Sequence, residues 1–487
     1  LNGNGQLGNG TTTSSAAPVT VTGLTNAAQV IGGGLHACAT VNGNVRCWGY
    51  NGYGQLGDNT VTQRTTPVTV LTTGALTALT NVEQLSATYY STCARRSDGT
   101  VWCWGYNGNG ELGDGTTANR ATATQVPNLF NVVAISSGWN HTCAIRSNGT
   151  VWCWGYNGYG QLGGGGAATP LLAVPVTAHG GATASIAASG YTTCVHISDN
   201  TVRCWGRGTE GQLGNNGASN SVSPVTVLVN SSTALSTASQ LSGGLYHMCA
   251  RLTDSTVRCW GYNASGQIGD GTGTNRLVAT VVTGVTTASR VVAHGQHTCA
   301  VLADTTMRCW GLGTSGQLGD GASLTRTTSV QVVNLTSTTM CNAVPGTPTV
   351  ETCNGIDDDC DGVVDDVSAS SCSACTTPTG TCTVGAGACA VAGAAQCSDV
   401  GATEVEGAEL STCALMPDGT VRCWGYNGNY DLGDGTTTVR YTPVSRTVLT
   451  GALDLAFGAQ HMCARMSDGT VKCWGYNGYG NLGNGGT

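Results

Sequence analysis

The sequence predicts an all-β protein made of repeated supersecondary units, and three observations carry that prediction. A Cys-x8/9-Cys-Trp-Gly unit, followed by Gly-x-Leu-Gly or a close variant, occurs eight times. The copies are marked by Trp48, Trp104, Trp154, Trp205, Trp260, Trp310, Trp424 and Trp474, spaced 50 to 56 residues apart with one gap of 114. A fixed period near 50 residues means units stacked around or along an axis. The second observation is a turn sequence between the cysteines of each unit. The third is the cysteine count itself, 24, with two in each unit and eight in one insertion. Such a set suits an oxidising compartment and would be a liability in reducing cytosol, so an extracellular or cell-surface location is expected.

The chain starts inside a repeat. LNGNGQLG (residues 1–8) matches the middle of a unit, so the chain reads as a processed or truncated product. Residues 11–24, TTTSSAAPVTVTGL, have the form of a unit's outer strand. The last unit stops at GNLGNGGT (480–487) and lacks that strand. Three readings stay open here: closure within one molecule, donation of the N-terminal strand to a neighbour as a head-to-tail polymer, or excision from a longer array.

In the first full unit, CATVNGNVRC, Asn42-Gly43 is a two-residue turn needing positive φ at both positions. Counting outward brings Cys38 opposite Cys47. The other units carry one more residue, as in Ser97-Asp98-Gly99, and a three-residue loop again sets Cys93 opposite Cys103. Directly opposed strand residues lie within disulfide reach. The same count pairs Cys143 with Cys153, Cys194 with Cys204, Cys249 with Cys259, Cys299 with Cys309, Cys413 with Cys423 and Cys463 with Cys473. Two units have Ser255 and Thr305 where the loop wants Gly or Asn, so local strain or a different turn is expected there.

The unit x-His-x-Cys-Ala…Asp-Gly-Thr-Val-x-Cys-Trp-Gly-x-Asn-x-x-Gly-Gln-Leu-Gly resembles the regulator of chromosome condensation repeat in its disulfide-bearing bacterial form. The resemblance spans everything except about 65 inserted residues. It implies a β-propeller of four-stranded blades, seven or eight in number for eight units; the strand-turn-strand pattern alone also permits another closed β array. The domain reading is propeller repeats over 1–337, an insertion over 338–402 and two further repeats over 403–487. The nuclear exchange-factor role known elsewhere in the family is not expected, since disulfides and the lack of a basic tail contradict it.

Five strings Gly-x-Gly-x-x-Gly (3–8, 52–57, 108–113, 158–163 and 478–483) match a dinucleotide fingerprint in letters only. They follow a hairpin and precede Thr-rich loops, whereas the fingerprint needs a βαβ setting, so they read as tight turns. His36, His141, His247, His297 and His461 stand two residues before the first cysteine, in register, with Ser91, Thr192 and Ser411 in the other units. Recurrence in register favours a structural hydrogen-bonding role. Before the second cysteine stand Arg46, Arg203, Arg258, Arg308, Arg422 and Lys472, with Trp102 and Trp152 elsewhere. On a propeller these would share one radius and form a ring for an anion or acidic partner; packing of their stems on neighbouring tryptophan rings is the competing reading.

The insertion contains ETCNGIDDDCDGVVDD (351–366), which resembles a metal-binding motif of secreted bacterial proteins. Asp357, Asp359 and Asp361 at alternate positions before Gly362, with Val363 offering a carbonyl and Asp365 next, match a Ca²⁺ loop. Position twelve is Ser368, not glutamate, and Asp366 is the substitute ligand. Zinc is not expected, because the insertion holds one Cys-x2-Cys and no histidine.

Charged residues make up 9% of the chain, with net charge −8 and one lysine, Lys472. That leaves no basic footprint for nucleic acid, and no apolar run of about 18 residues spans a membrane. Sequons at Asn9, Asn140, Asn148, Asn230, Asn263 and Asn334 are no more than an Asn- and Thr-rich composition produces. No nucleophile and base stand out from repeat positions, so the expectation is a non-catalytic scaffold, structural or adhesive, with strand-donated filaments as a variant. The alternative is a monomeric protein-binding or inhibitory propeller with an aromatic-rich loop patch, its anchors drawn from Tyr53, Tyr89, Tyr90, Trp139, Tyr159 and Tyr479. Partners are thus protein, a second copy or glycans.

Overall fold

The computed structural model describes residues 5–7, 9–12, 15–166, 168–177, 179–335, 401–428, 430–445, 449–458 and 461–475. The insertion, with Asp357, Asp359, Asp361, Val363, Asp365 and Asp366, lies outside them, as does Tyr479.

Period-50 sequence becomes eight four-stranded antiparallel sheets, the blades of one propeller. Blade 1 comprises Ala27–Gly32, His36–Val41, Asn44–Gly49 and Arg64–Thr69, counted from the innermost strand outward. Blades 2 to 7 repeat the order. Blade 8 takes its first three strands from Ala452–Phe457, His461–Met466 and Val471–Gly475, and its outer strand from Ser15–Thr20. Val19 pairs with Cys473 and Thr20 with Lys472, so the ring closes within one chain, as the first reading of the ends expects. Gln6 and Leu7 complete the seam: both are buried, Leu7 packs in the cluster holding Trp48, and the Gln6 carbonyl accepts the Trp48 indole N–H at 2.5 Å.

The hairpin count holds in all eight blades. Cys38 sits opposite Cys47 and Cys93 opposite Cys103, and eight disulfides join the second and third strands. Asn42 and Gly43 take φ of 51° and 75°. Ser255 and Thr305 keep the three-residue loop and adopt φ of 65° and 67°, so strain, not a different turn, is the outcome there.

One apolar cluster lies between each pair of neighbouring blades, and each contains one of the eight buried repeat tryptophans. Each indole buries on the order of 200 Å² and dominates its cluster. The indole N–H also reaches back one blade: Trp104 donates to the Gln55 carbonyl and Trp205 to that of Gln161, both at 2.8 Å. Inside the ring, the innermost strand of every blade has a free edge, which costs unpaired backbone groups. In blades 2, 3 and 6 a glutamine from the preceding blade covers it. The Gln84 carbonyl accepts from Ile135 N–H and its amide donates to Ile135 O, both at 3.0 Å, and Gln29 and Gln240 do the same at Leu85 and Val291.

Candidate docking face

Two sets of loops converge on one face of the ring. One set joins the innermost strand of each blade to the second, and their tips surround the channel mouth. The other is the Trp-Gly-Tyr-Asn-Gly-x-Gly-Gln-Leu-Gly segment that leads from the third strand to the fourth. A buried asparagine fixes the second set. Asn51 accepts from Leu56 N–H at 2.9 Å and donates to Asp58 Oδ1 and to the carbonyls of Thr60 and Thr62 at 2.9–3.1 Å. Asp58 in turn pairs with Arg64 at 2.7 Å, tying the loop to the start of the outer strand. Asn107, Asn263 and Asn427 repeat this arrangement. Asn263 is therefore a buried staple, not an accessible sequon. Gly54 within the loop has φ of +81°, and a Cβ there would meet Ala121 Cα at 2.6 Å. The glycine strings at 52–57, 108–113 and 158–163 are the turns expected, while 478–483 and part of 3–8 lie outside the described residues.

These loops bring tyrosines from neighbouring repeats together. Tyr53 lies 5.1 Å from Tyr90 and 5.2 Å from Tyr106, and Tyr89 lies 4.6 Å from Tyr90. Across blades 3 to 5, Tyr191 is 5.4 Å from Trp139 and 5.0 Å from Tyr159, and Tyr246 is 6.5 Å from Trp139. Arg207, where blade 6 has Leu312 and the other blades tyrosine, lies 5.6 Å and 4.7 Å from the ring centres of Tyr159 and Tyr246, within cation–π range. Glu210 pairs with it at 2.8 Å. Burial works against the Glu210 charge, yet bonds from Arg207, Gln212 and Thr209 hold its carboxyl down at about 2. Burial and neighbouring phenols push the Tyr90 and Tyr191 hydroxyls up, so both stay protonated donors at neutral pH. Backbone bonds link the two groups: Tyr89 N–H donates to Trp139 O, and Trp139 N–H to Gly190 O. Blades 1 to 5 thus carry one aromatic arc. Of the anchors read from sequence, Tyr53, Tyr89, Tyr90, Trp139 and Tyr159 lie in it. Tyr191 and Tyr246 were missed although they share the register of Tyr90, the signal that could have found them, and Arg207 was missed because its repeat position holds tyrosine or leucine in the other blades.

The five register histidines are buried among the blades. The Nε2 atoms of His36, His141, His247 and His297 each lie 2.8 Å from the hydroxyl of Thr92, Thr193, Thr298 and Thr412 on the following blade. Thr193, Thr298 and Thr412 donate onward to glutamine carbonyls at 2.9–3.1 Å, so the imidazole is the donor to threonine and Nδ1 carries the lone pair. His461 faces a blade with Ala37 at that register, and neither of its ring nitrogens has a partner. Burial lowers His36, His141 and His297 to about 4, and His247 and His461 to about 3.

Arg46, Arg203, Arg258, Arg308, Arg422 and Lys472 occupy one register of the third strand, next to the outer strand. Arg258 donates to the Ala279 carbonyl at 2.9 Å and Arg422 to that of Asn334 at 3.0 Å, while Arg46 is exposed. Trp152 in that register lies 5.7 Å from the Arg146 guanidinium. Among the described residues, no group of three or more His, Cys, Asp or Glu side chains is placed to hold a metal ion. None of their helices is long and apolar enough to cross a membrane.

A family model described as the RCC1-like domain matches residues 1–347, and a second, the regulator of chromosome condensation (RCC1) repeat, matches 453–481. Among solved structures, human WBSCR16 is similar over 89% of this chain and 99% of its own, at 17% identity and a TM-score of 0.60. Prp20p from Saccharomyces cerevisiae, whose structure is described with its binding to Gsp1p and histones, is 20% identical over 63% of this chain and 77% of its own, with a TM-score of 0.51. The same yeast protein in a structure with Kap60 bound gives 21%, 63%, 75% and 0.51.

Proposed function

The chain belongs to the RCC1-like family of β-propellers, and from that membership we propose that it is an extracytoplasmic protein-docking ring whose aromatic face receives a secreted or surface-bound partner. RCC1-like propellers are in general non-catalytic protein-interaction domains. The observation that carries this reading is the aromatic arc over blades 1 to 5. Tyr, Trp and Arg dominate the energetics of protein interfaces, and here they converge from five repeats onto one face. Tyr89 and Trp139, at 37% and 38% exposure, are the anchors most open to a partner. Prp20p's description with Gsp1p and histones supports reading such a ring as a platform for other proteins, without carrying those partners over. Eight disulfides support a location outside reducing cytosol.

The scaffold or filament reading stands second. It draws on the sparsely charged surface and on the strand Ser15–Thr20, which pairs at the seam and is the piece a neighbour would exchange.

Capture by chemical crosslinking from the producing organism's exoprotein and surface fraction tests the docking reading. Trp139→Ala with Tyr89→Ala is expected to lower recovery of the captured partner at least tenfold while leaving the disulfides and the melting temperature unchanged. Undiminished capture by that variant would sink the proposal.

A further inference from the structure

The channel mouth is a cavity of about 430 Å³, within the range of ordinary ligand pockets. Its two sides differ in chemistry. Blades 2 and 3 contribute Tyr89 and Trp139. Blades 6 to 8 contribute His294, Glu409 and Phe457. The strands that flank those loops carry charge: Arg290 lies 3.0 Å from both Glu404 and Glu406, and Arg465 lies 3.9 Å from Asp454. Burial keeps His294, 3.6 Å from Glu406, neutral. Glu409 stands exposed at the rim, and among the described residues no cation lies within ion-pair distance of it. With Glu409, this set holds four carboxyl groups against two guanidinium groups.

The repeat does not require that charge. At the register of Arg290, Glu404 and Asp454, blades 1, 2 and 5 place Gln29, Gln84 and Gln240, which cover the neighbouring strand edge as neutral amides. The charged version is costly. Burial pushes the Glu406 carboxyl up to about 7 and raises Glu404 and Asp454 as well, with the Arg290 guanidinium opposing the rise at all three. Carboxylates held at such a cost on the strands that lead to a cavity, with Glu409 in its lining, attract a positive group, and aromatic rings across the cavity attract one too.

We propose that the mouth receives a cationic side chain, lysine or arginine, carried on a projecting loop of the protein partner. The cation meets Glu409 at the rim and the acidic wall of blades 6 to 8 within, while Tyr89 and Trp139 flank it from the other side. An anionic ligand is disfavoured, since Arg290 is already committed to two carboxylates. This inference rests on the docking reading and supplies the partner's chemistry.

The test uses the intact, non-reduced chain and a fluorescein-labelled cyclic hexapeptide of glycine and serine bearing one arginine, read by fluorescence anisotropy. The matched peptide carries citrulline, which keeps the shape and removes the charge. The arginine peptide is expected to bind at least tenfold tighter than the citrulline peptide, and Glu409→Gln and Trp139→Ala are each expected to erase most of that difference. Equal binding of the two peptides, no binding of the arginine peptide, or displacement of it by neutral oligosaccharide but not by free arginine amide would overturn the proposal. Partner capture that depends on Trp139 but not on Glu409 would remove the cationic anchor alone. Capture indifferent to both Trp139 and Tyr89 would remove the docking reading with it.

Discussion

Reduction of the eight blade disulfides is expected to unfold the protein at temperatures where the oxidised form is stable. Each bond joins cysteines nine or ten residues apart. Closing so short a loop removes about 2.7 kcal/mol of denatured-state entropy in the chain-entropy model. Eight such bonds sum to roughly 20 kcal/mol, against a net stability of about 5–15 kcal/mol for ordinary domains. Even with half of that sum realised, the reduced ring has little margin left. Both sulfurs of every pair are buried, so reduction should be slow in the native state and fast once blades open. Thermal melts with and without TCEP, after brief exposure to denaturant, check this. A reduced protein melting within a few degrees of the oxidised one would contradict it. Cys143→Ala with Cys153→Ala, removing one bond, should cost about 2–3 kcal/mol by the same arithmetic.

Acid should be the second strong destabiliser, and it should act well above the pH at which carboxylates protonate. Burial holds six imidazoles neutral in the fold: His36, His141 and His297 at about 4, and His247, His294 and His461 at about 3. The unfolded chain titrates them near 6.5. Between those values the unfolded state binds more protons, so stability rises with pH across the window and falls as pH drops through it. Their contribution is complete above about 6.5 and is lost progressively toward 4 and below. At pH 5 each histidine forfeits about 2 kcal/mol, on the order of 10 kcal/mol for all six. The carboxyls raised in the channel wall, Glu404, Glu406 and Asp454, have the opposite sign and offset part of the loss. Denaturant midpoints measured from pH 8 to pH 4.5 should fall steeply below pH 6.5. His141→Gln, able to keep the Thr193 bond, should flatten that slope by about one proton's worth. A midpoint constant down to pH 4.5 would contradict the account.

Local chemistry made much of this molecule legible beforehand. Turn length and turn residue specified which cysteines oppose one another, because register in a hairpin is a counting problem. The outer-strand character of residues 11–24 anticipated the strand Ser15–Thr20 at the seam. Properties that depend on which repeats become neighbours in the ring were harder to read. The pairing of His36 with Thr92 or His297 with Thr412 joins residues 56 and 115 apart, and only the blade order explains why a histidine on one blade calls for threonine on the next. Tyr53 and Trp139 stood out as aromatic loop residues, whereas Arg207 stood at a repeat position and its sandwich between Tyr159 and Tyr246 needed three blades in place. The acidic channel wall was invisible for a related reason: innermost strands repeat weakly, and Glu404, Glu406 and Asp454 share no motif. The calcium reading of Asp357, Asp359, Asp361, Val363, Asp365 and Asp366 still rests on spacing, since those residues lie outside the described ones.

A discrete ring closed by its own N-terminal strand is the premise of the docking account, and electron microscopy of native, non-reduced material with its solution mass tests that premise most directly. Separate rings with eight blades and the mass of one 49.2 kDa chain are the expected result. Fibres with a regular subunit repeat would mean that Ser15–Thr20 completes a neighbour's blade, and the structural-polymer reading would replace the docking one.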